Sequence, residues 1–381
     1  MPSVMQVLHQ GAGSGAVIST LHLSLGLAKA GWQVRFVCPP GSEVESLAAA
    51  EGLEVIPLQL LPRARRRNAA ALAKVLAGAR SDVINSHSSR DREALTWLAL
   101  TRRLPVPFVA TRRQIPRTVF LENWIASRLA GCMIAVSQPV ADALEQRGTP
   151  RRKIAVVPNG LVAARLDVPV MPEALEHWRE RIQWDPERRT IGIVSRRKDQ
   201  SVVIEALSRI STPVRLVLAG VGDESAFDHL IERLPPRHAV VAIPFNSDVR
   251  PLYELLELVL LPSRMEGLSQ ALLEAMALGT PVAVSAAAGN LELVRDGING
   301  LLVPPRDPVA WASAIERLLA DPALRERLGS AARHTARVEF AMERTVERTA
   351  AVYRMVLRCQ GPGPRADSAP EDSPWNGGAP R

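Results

Sequence analysis

Pro262-Ser-Arg-Met-Glu266-Gly-Leu-Ser-Gln-Ala-Leu-Leu-Glu274-Ala-Met-Ala-Leu-Gly279-Thr-Pro281 joins two acids through a glycine-containing loop and a helix start. Ser269 is a good N-cap, the run from Gln270 to Leu278 is apolar at helical spacing, and Gly279 with Pro281 supplies the stop. Cβ vectors tilt toward a helix N-terminus, so Glu274 in the second turn leans back toward the loop holding Glu266. Backbone N–H groups near Gly267, Leu268 and Ser269, with the positive end of the helix dipole, make a ready anion site. A glutamate on a helix is ordinarily a solvated surface residue. Here Leu272, Leu273, Ala275, Met276 and Leu278 leave little of the helix polar, so a carboxylate among them needs hydrogen-bond donors, and ligand hydroxyls would serve.

Outward from this segment, short apolar runs alternate with helical patterns. Residues 4–8, 33–38, 53–57, 82–85, 108–111, 132–137 and 154–158 read as strands; after a polar, Pro-punctuated stretch over 166–189 the rhythm restarts at 190–194, 214–220, 239–243, 258–262 and 281–285. That is the pattern of parallel βα units. It predicts two doubly wound α/β Rossmann-like domains, 1–165 and 166–337, with ligands at the carboxyl ends of strands and an active site in the cleft between the domains. Residues 338–358 read as one amphipathic helix packing back on the first domain, and the Pro-, Gly- and Ser-rich tail 359–381 as disordered.

A chain of 381 residues with 47% hydrophobic content has room for two cores. No run approaches the roughly 20 apolar residues that span a bilayer, and MPSVMQVLHQ lacks the charged start and apolar centre of a signal peptide, so the expected location is cytoplasmic. Cys38, Cys132 and Cys359 are scattered and form no C-x-x-C pair, which argues against disulfides and zinc. The charge of +8 is uneven: residues 1–165 hold 21 Lys and Arg against 10 Asp and Glu. Nucleic acid is disfavoured as a partner, because the chain is only 4% aromatic and shows no recognised RNA or DNA module.

Several strand ends carry chemistry. Gly11-Ala-Gly13-Ser-Gly15-Ala fits G-x-G-x-x-A, yet the second strand ends Val37-Cys38-Pro39-Pro40 without the acid a nicotinamide ribose requires. The Gly-rich turn still brings backbone N–H groups toward an anion or sugar. His87, with Ser88 and Ser89, lies just past the fourth strand, and Thr111-Arg112-Arg113 ends the fifth; ligand contact competes there with a structural histidine and surface arginines. In the second half, Ser195-Arg196-Arg197-Lys198-Asp199 precedes a helix predicted over 201–210. Three cations at a strand end are costly to bury without an anion, and a diphosphate would satisfy them. Gly220-Val-Gly222-Asp223 reads as a turn near a nucleotide base.

Together these residues resemble the retaining GT-B glycosyltransferases of family four, or group one, over roughly residues 4–358. The resemblance rests most on Glu266-Gly267…Glu274-Ala275-Met276…Gly279-Thr280-Pro281, on Gly297-Ile-Asn-Gly300-Leu-Leu-Val303, and on Val157-Pro-Asn159-Gly160 at the domain junction. It implies that Glu274 holds the donor ribose, Glu266 and the following amides the transferred sugar and phosphate, and Arg197 with Lys198 the diphosphate. His87 matches an active-site histidine near the donor sugar. Gly13, Ser195, Arg196, Gly220, Gly267, Leu268 and Ser269 would complete the donor site, and Gly15, Ser88, Arg112 and Arg113 would face the acceptor. Two departures stand out: Asp199 replaces a Gly after the phosphate-binding Lys, and Arg113 replaces a His. No metal or other cofactor is expected.

With no paired first-domain carboxylates at strand ends, and Asp91 reading as a helix-surface residue, the expected mechanism has the acceptor hydroxyl attack on the face of departure and pass its proton to the leaving phosphate. The basic first domain, and Arg63, Arg65, Arg66 and Arg67 ahead of a helix at 69–79, predict an anionic membrane surface and a lipid-linked or lipopolysaccharide glycan acceptor. A nucleotide-sugar epimerase of the same fold and a noncatalytic binding scaffold are the alternative readings.

Overall fold

Parallel pairing governs both halves of the protein. The computed structural model describes residues 1–11, 14–115, 120–223, 225–246 and 248–359, and the expectations on Gly13 and on the tail beyond 359 lie outside them. The first sheet comprises β1 (Ser3–Val7), β2 (Gln33–Cys38), β3 (Glu54–Pro57), β4 (Val83–Ser86), β5 (Phe108–Arg112), β6 (Cys132–Ala135) and β7 (Ile154–Val156) in the order β3-β2-β1-β4-β5-β6-β7. Strands such as Ser3–Val7 and Phe108–Arg112 are buried along their whole length, as a sheet covered by helices on both faces demands. The order reverses between β1 and β4. At that point helices leave toward opposite faces and a crevice opens at the carboxyl ends.

The second sheet repeats the plan: β8 (Arg189–Val194), β9 (Val214–Ala219), β10 (Ala239–Ile243), β11 (Leu258–Leu261), β12 (Val282–Ser285) and β13 (Leu301–Val303), ordered β10-β9-β8-β11-β12-β13 with its reversal between β8 and β11. Its core joins Ile191, Leu216, Leu260 and Trp311. The two α/β halves agree with the sequence reading, whereas several boundaries move. The chain divides into Met1–Pro158 together with the residues from Glu343 on, and Asn159–Met342. The polar stretch 166–189 folds into the helix Pro172–Arg181 of the second unit, buries Trp178, and presents the Ile182 carbonyl to Arg215 Nη1 at 2.7 Å. The three-residue β13 was too short to announce itself.

The helix that the two carboxylates announce spans Gln270–Leu278. Ser269 Oγ accepts from the Leu272 N–H at 3.3 Å, and Gly279 closes the helix at φ +84, where a Cβ would be strained. The helix expected over 201–210 spans Gln200–Leu207, and the basic one runs Arg65–Gly78 rather than 69–79, so three arginines occupy its first turn. Residues 338–358 are not one helix. A π turn at Thr335–Glu339 gives way to a bridge between Leu161 and Ala341, and the helix proper is Met342–Arg358.

That last helix is tied into the first unit by a buried phenol. Tyr353 Oη accepts from Asn85 Nδ2 at 2.7 Å and from Gln6 Nε2 at 3.2 Å, and its ring packs edge-on against Trp32 at 5.5 Å. Asn85 Oδ1 in turn accepts from the Thr111 hydroxyl at 3.0 Å. The Tyr353→Phe variant leaves two buried amide donors without an acceptor at nearly unchanged volume. We expect it to lower stability by about 1–3 kcal/mol, read as a lower urea midpoint at unchanged slope.

Candidate active site

In the second unit, the loops after β8 and β11 flank the reversal of strand order. The β8 loop, Ser195 to Asp199, is stapled by the buried Gln200 side chain: Nε2 donates to the Arg196 carbonyl at 2.9 Å and Oε1 accepts from the Lys198 N–H at 2.5 Å. Gly220 presses on the loop from β9. Its φ is +103, and a Cβ there would lie 2.9 Å from the Ser195 carbonyl oxygen, so close backbone approach accounts for this glycine. Arg196, Arg197 and Lys198 are exposed, which corrects the expectation that burial of three cations demands an anion. Arg197 stacks over Phe227 at 5.3 Å. Lys198 Nζ pairs with Glu266 Oε1 at 2.9 Å. Asp199, the departure from the family pattern, receives a two-point contact from Arg264 at 3.2 Å on each oxygen and so ties the β8 loop to the β11 loop.

The β11 loop is set by a second close approach. The Gly289 N–H donates to the Glu266 carbonyl at 3.2 Å, and a Cβ on Gly289 would lie 1.8 Å from the Gly267 oxygen, so any larger residue would displace the loop. Asn290 Nδ2 holds the Ser263 and Ser285 carbonyls at 3.2 and 3.0 Å. Gly267 and Leu268 are buried, and Ser269 caps the helix behind them. Glu274 leans on Tyr253, with 3.3 Å between Oε2 and Oη. Desolvation pushes the Glu274 carboxyl up to about 7, against the opposing pull of the Tyr253 hydrogen bond and the Arg165 charge. Glu266 and Glu274 therefore have separate partners, a lysine for one and a phenol for the other. Gln200, Gly289, Asn290 and Arg264 all serve this arrangement; Gly289, Asn290 and Arg264 escaped local sequence reasoning because each acts on a loop distant in the chain, and Gln200 because its amide folds back onto the loop just before its helix.

In the first unit, the ends of β1, β4 and β5 converge. His87 is buried; Arg113 Nη2, which only donates, lies 3.3 Å from its Nδ1, so the proton of the neutral ring sits on Nε2 and goes to Gln6 Oε1 at 2.6 Å. Burial, and then the nearby Arg113 charge, hold the ring's pKa well below the ordinary histidine value. Both nitrogens are thus engaged inside the protein. This corrects the expectation of a ring offered to the donor sugar: the geometry makes His87 the support of Arg113, whose Nη1 also donates to Ser19 Oγ at 2.9 Å. Arg112 and Arg113 part because strand residues alternate faces. Arg112 is buried near Arg92 and Glu122, its Nη1 without a hydrogen-bond partner, and burial followed by Arg92 lowers it to about 9. Arg112 is therefore not displayed beside Arg113.

Asp91 also departs from expectation. It is fully buried rather than on a helix surface. Its Oδ2 accepts from the His87 and Ser88 N–H groups at 2.6 and 2.8 Å and caps the helix Ser89–Leu100, while Oδ1 takes the Ser88 hydroxyl and, at 3.0 Å, His9 Nδ1. Burial works to raise this carboxyl, but the His9 and Ser88 hydrogen bonds prevail and hold it below the usual range. Ser88 is thus a cap residue bonded to His9, and Gly15 is the exposed first residue of the helix Gly15–Lys29. His9, two residues past β1, was missed in the sequence; only its place at a strand end signalled it. Among the described residues no group of three or more His, Cys, Asp or Glu side chains gathers as a metal site.

The raised Glu274 value has a definite sign. The folded protein holds that proton more tightly than the unfolded chain, so the contribution is present below the ordinary carboxylate range and is lost as pH rises through about 7. The Glu274→Gln variant lacks this loss. Its urea midpoint relative to the natural protein should rise between pH 5 and pH 8, whereas a pH-independent difference would place Glu274 in an ordinary solvated environment.

Residues 13–165 match the family model described as Glycosyltransferase Family 4, and residues 176–335 match that described as Glycosyl transferases group 1. The protein named uncharacterized glycosyltransferase MJ1607 of Methanocaldococcus jannaschii is 30% identical over 221 residues, 56% of this chain and 57% of that one. A D-inositol 3-phosphate glycosyltransferase of Salinispora arenicola is 33% identical over 187 residues, 45% of this chain and 42% of that one. The matched segments thus span about half the length of these curated relatives. Anabaena Alr3699/HepE, solved in complex with UDP-glucose, superposes with a TM-score of 0.78 at 20% identity, covering 92% of this chain and 99% of that one, and shares the fold. With both models matched in chain order on two doubly wound sheets, the chain belongs to the group 1, family 4 glycosyltransferases.

Proposed function

We propose that this protein moves a sugar from a nucleotide-sugar donor to a glycan or lipid-linked acceptor of the cell envelope, with retention of anomeric configuration. The observation that carries the reading is the capped N-terminus of the helix Gln270–Leu278, reached by Lys198 from across the strand-order reversal. Departure of the nucleoside diphosphate builds negative charge on its terminal phosphate, and Arg197, Lys198 and the amides of Gly267 to Ser269 stabilise it. Lys198 exchanges Glu266 for the phosphate as donor binds, which frees Glu266 for the transferred sugar. Glu274 accepts from the ribose hydroxyls. No metal or other cofactor has a part in these steps.

A thermal-shift screen over UDP, GDP, ADP and CMP sugars identifies the donor, and NMR of the first-formed product then reads the anomeric centre. Retention is expected; an inverted product overturns the stereochemistry. Isomerised sugar nucleotide without acceptor would mark an epimerase, and binding without turnover a scaffold. Glu274→Ala should weaken donor binding about 10- to 100-fold, the loss of hydrogen bonds to a charged acceptor, and Glu266→Ala should slow transfer at little changed affinity.

The acceptor side is read from the basic helix. Arg65–Gly78 carries Arg65, Arg66, Arg67 and Lys74 and no acid, its three first-turn cations oppose the helix dipole, and Arg63 ahead of it has φ +54. Arg65 and Arg66 lie over Trp97 at 4.7 and 5.2 Å. Trp97 and Leu100 also line a groove of about 410 Å³ with Leu121 and Ile125, and Leu100, Leu121 and Trp124 are exposed. Cations and apolar side chains displayed together suit an anionic membrane surface; no helix among the described residues is long and apolar enough to cross a membrane. Anionic vesicles at low salt should bind the protein. Replacing Arg65, Arg66 and Arg67 by Gln should weaken partition roughly 100-fold at about 1 kcal/mol per charge, and indifference to vesicle charge would remove the membrane from the proposal.

A further inference from the structure

Two ion pairs bridge the loops after β8 and β11, and they run with opposite polarity. Lys198 Nζ reaches Glu266 Oε1 at 2.9 Å, and the Arg264 guanidinium returns to Asp199, with Nε and Nη2 each 3.2 Å from a carboxylate oxygen. Once a diphosphate takes Lys198 away from Glu266, two carboxylates remain beside it, and only Asp199 keeps a cation of its own. Asp199 also stands at the N-cap of the helix Gln200–Leu207, where an aspartate ordinarily accepts from the amides of its own helix. It makes no such bond here; both its oxygens go to Arg264. The first helical N–H groups beside Lys198 are thereby left without a carboxylate over them. Arg264 can hold Asp199 in this way because its own backbone is pinned on both sides. Asn290 Nδ2 holds the Ser263 carbonyl at 3.2 Å, the Gly289 N–H holds that of Glu266 at 3.2 Å, and the Gln200 amide fixes the backbone of Arg196 and Lys198 opposite.

Resting on the donor site proposed above, we infer that Arg264 is a positioning residue of that site: it draws the Asp199 carboxylate off the helix N-terminus and cancels its charge. The phosphates then meet Lys198 and free amides rather than an anion. Arg264 acts through Asp199 and touches no phosphate itself. Without the guanidinium, Asp199 falls back to cap its own helix and repels the incoming diphosphate from beside Lys198. A contact that merely tied the two loops would behave otherwise: its loss would lower stability, and removing either partner would weaken binding alike. The sequence did not show this role because Asp199 and Arg264 stand 65 positions apart and come together where β8 and β11 pair.

The full-length protein is titrated calorimetrically with UDP, GDP and ADP, the tightest being carried forward, and its stability is read in urea. Arg264→Ala should weaken that nucleotide about 3- to 10-fold at low salt, a loss that shrinks as added salt screens the uncovered carboxylate. Its urea midpoint should be no lower than that of the natural protein, because a helix cap is regained. Asp199→Asn should bind the nucleotide about 2- to 3-fold more tightly, since the Arg264 charge then acts on the site uncompensated. With Arg264→Ala and Asp199→Asn combined, affinity should return to within about twofold of the natural value. Arg264→Lys, which keeps the charge and loses the fork, should retain most of the affinity. A loss in Arg264→Ala that persists in the double variant makes Arg264 a phosphate ligand and overturns the inference. Weaker binding in Asp199→Asn, or a lowered urea midpoint in Arg264→Ala, makes the pair a structural tie and overturns it equally. Binding with the expected pattern but no sugar transfer removes the transferase reading and leaves the role of Arg264 standing; transfer by the natural protein without that pattern does the reverse. If none of the three nucleotides binds the natural protein, both fall.

Discussion

Parallel strand pairing points every carboxyl end of a sheet the same way, and the reversal of strand order at one place in each sheet leaves a crevice no crossover helix can fill. The candidate donor-site and histidine–carboxylate groups lie beside those two reversals. Lys198, Asp199, Arg264 and Glu266 follow β8 and β11. His9, His87 and Asp91 follow β1 and β4. The loops there have no ladder to bond to, so side chains and close backbone contacts must hold them.

How they are held differs between the units. In the second, glycines permit backbone contact: Gly220 against Ser195, Gly289 against Gly267, and Gly329, where a Cβ would fall 2.2 Å from the Gly279 carbonyl oxygen. Each would admit no side chain without moving a loop or a helix end. In the first unit a polar chain runs from Arg113 through His87 and Gln6 to Tyr353 and on through Asn85 to Thr111. Its direction is dictated at one end. A guanidinium can only donate, which assigns the histidine tautomer and then the orientation of the Gln6 amide. A buried network of this kind is satisfied as a whole or costly in part.

Strand rhythm, the cap and stop of Gln270–Leu278, and the two acids around it were legible because each is a local property. Helix period, an N-cap serine and a C-terminal glycine act within a few residues. The extent of Arg65–Gly78 was misjudged because three arginines in a first turn contradict the dipole, and Trp97, which receives two of them, belongs to another helix. Asp199 read as a mere departure until Arg264 appeared opposite it. The exposure of Arg196, Arg197 and Lys198 was equally hidden, since their solvation depends on what packs around the loop.

The sequence by itself determined two parallel α/β sheets, the helix start between Glu266 and Glu274, and membership in a sugar-transferring family, because these follow from periodicity, capping and contiguous motifs. Tertiary structure alone decided the rest. It gave Lys198 to Glu266 and Tyr253 to Glu274, turned His87 inward, and joined His9 to a buried Asp91. The reason is physical: a side chain's charge state and hydrogen-bonding role are set by neighbours within a few ångströms, and in a parallel sheet those neighbours come from strands and helices far apart in the chain.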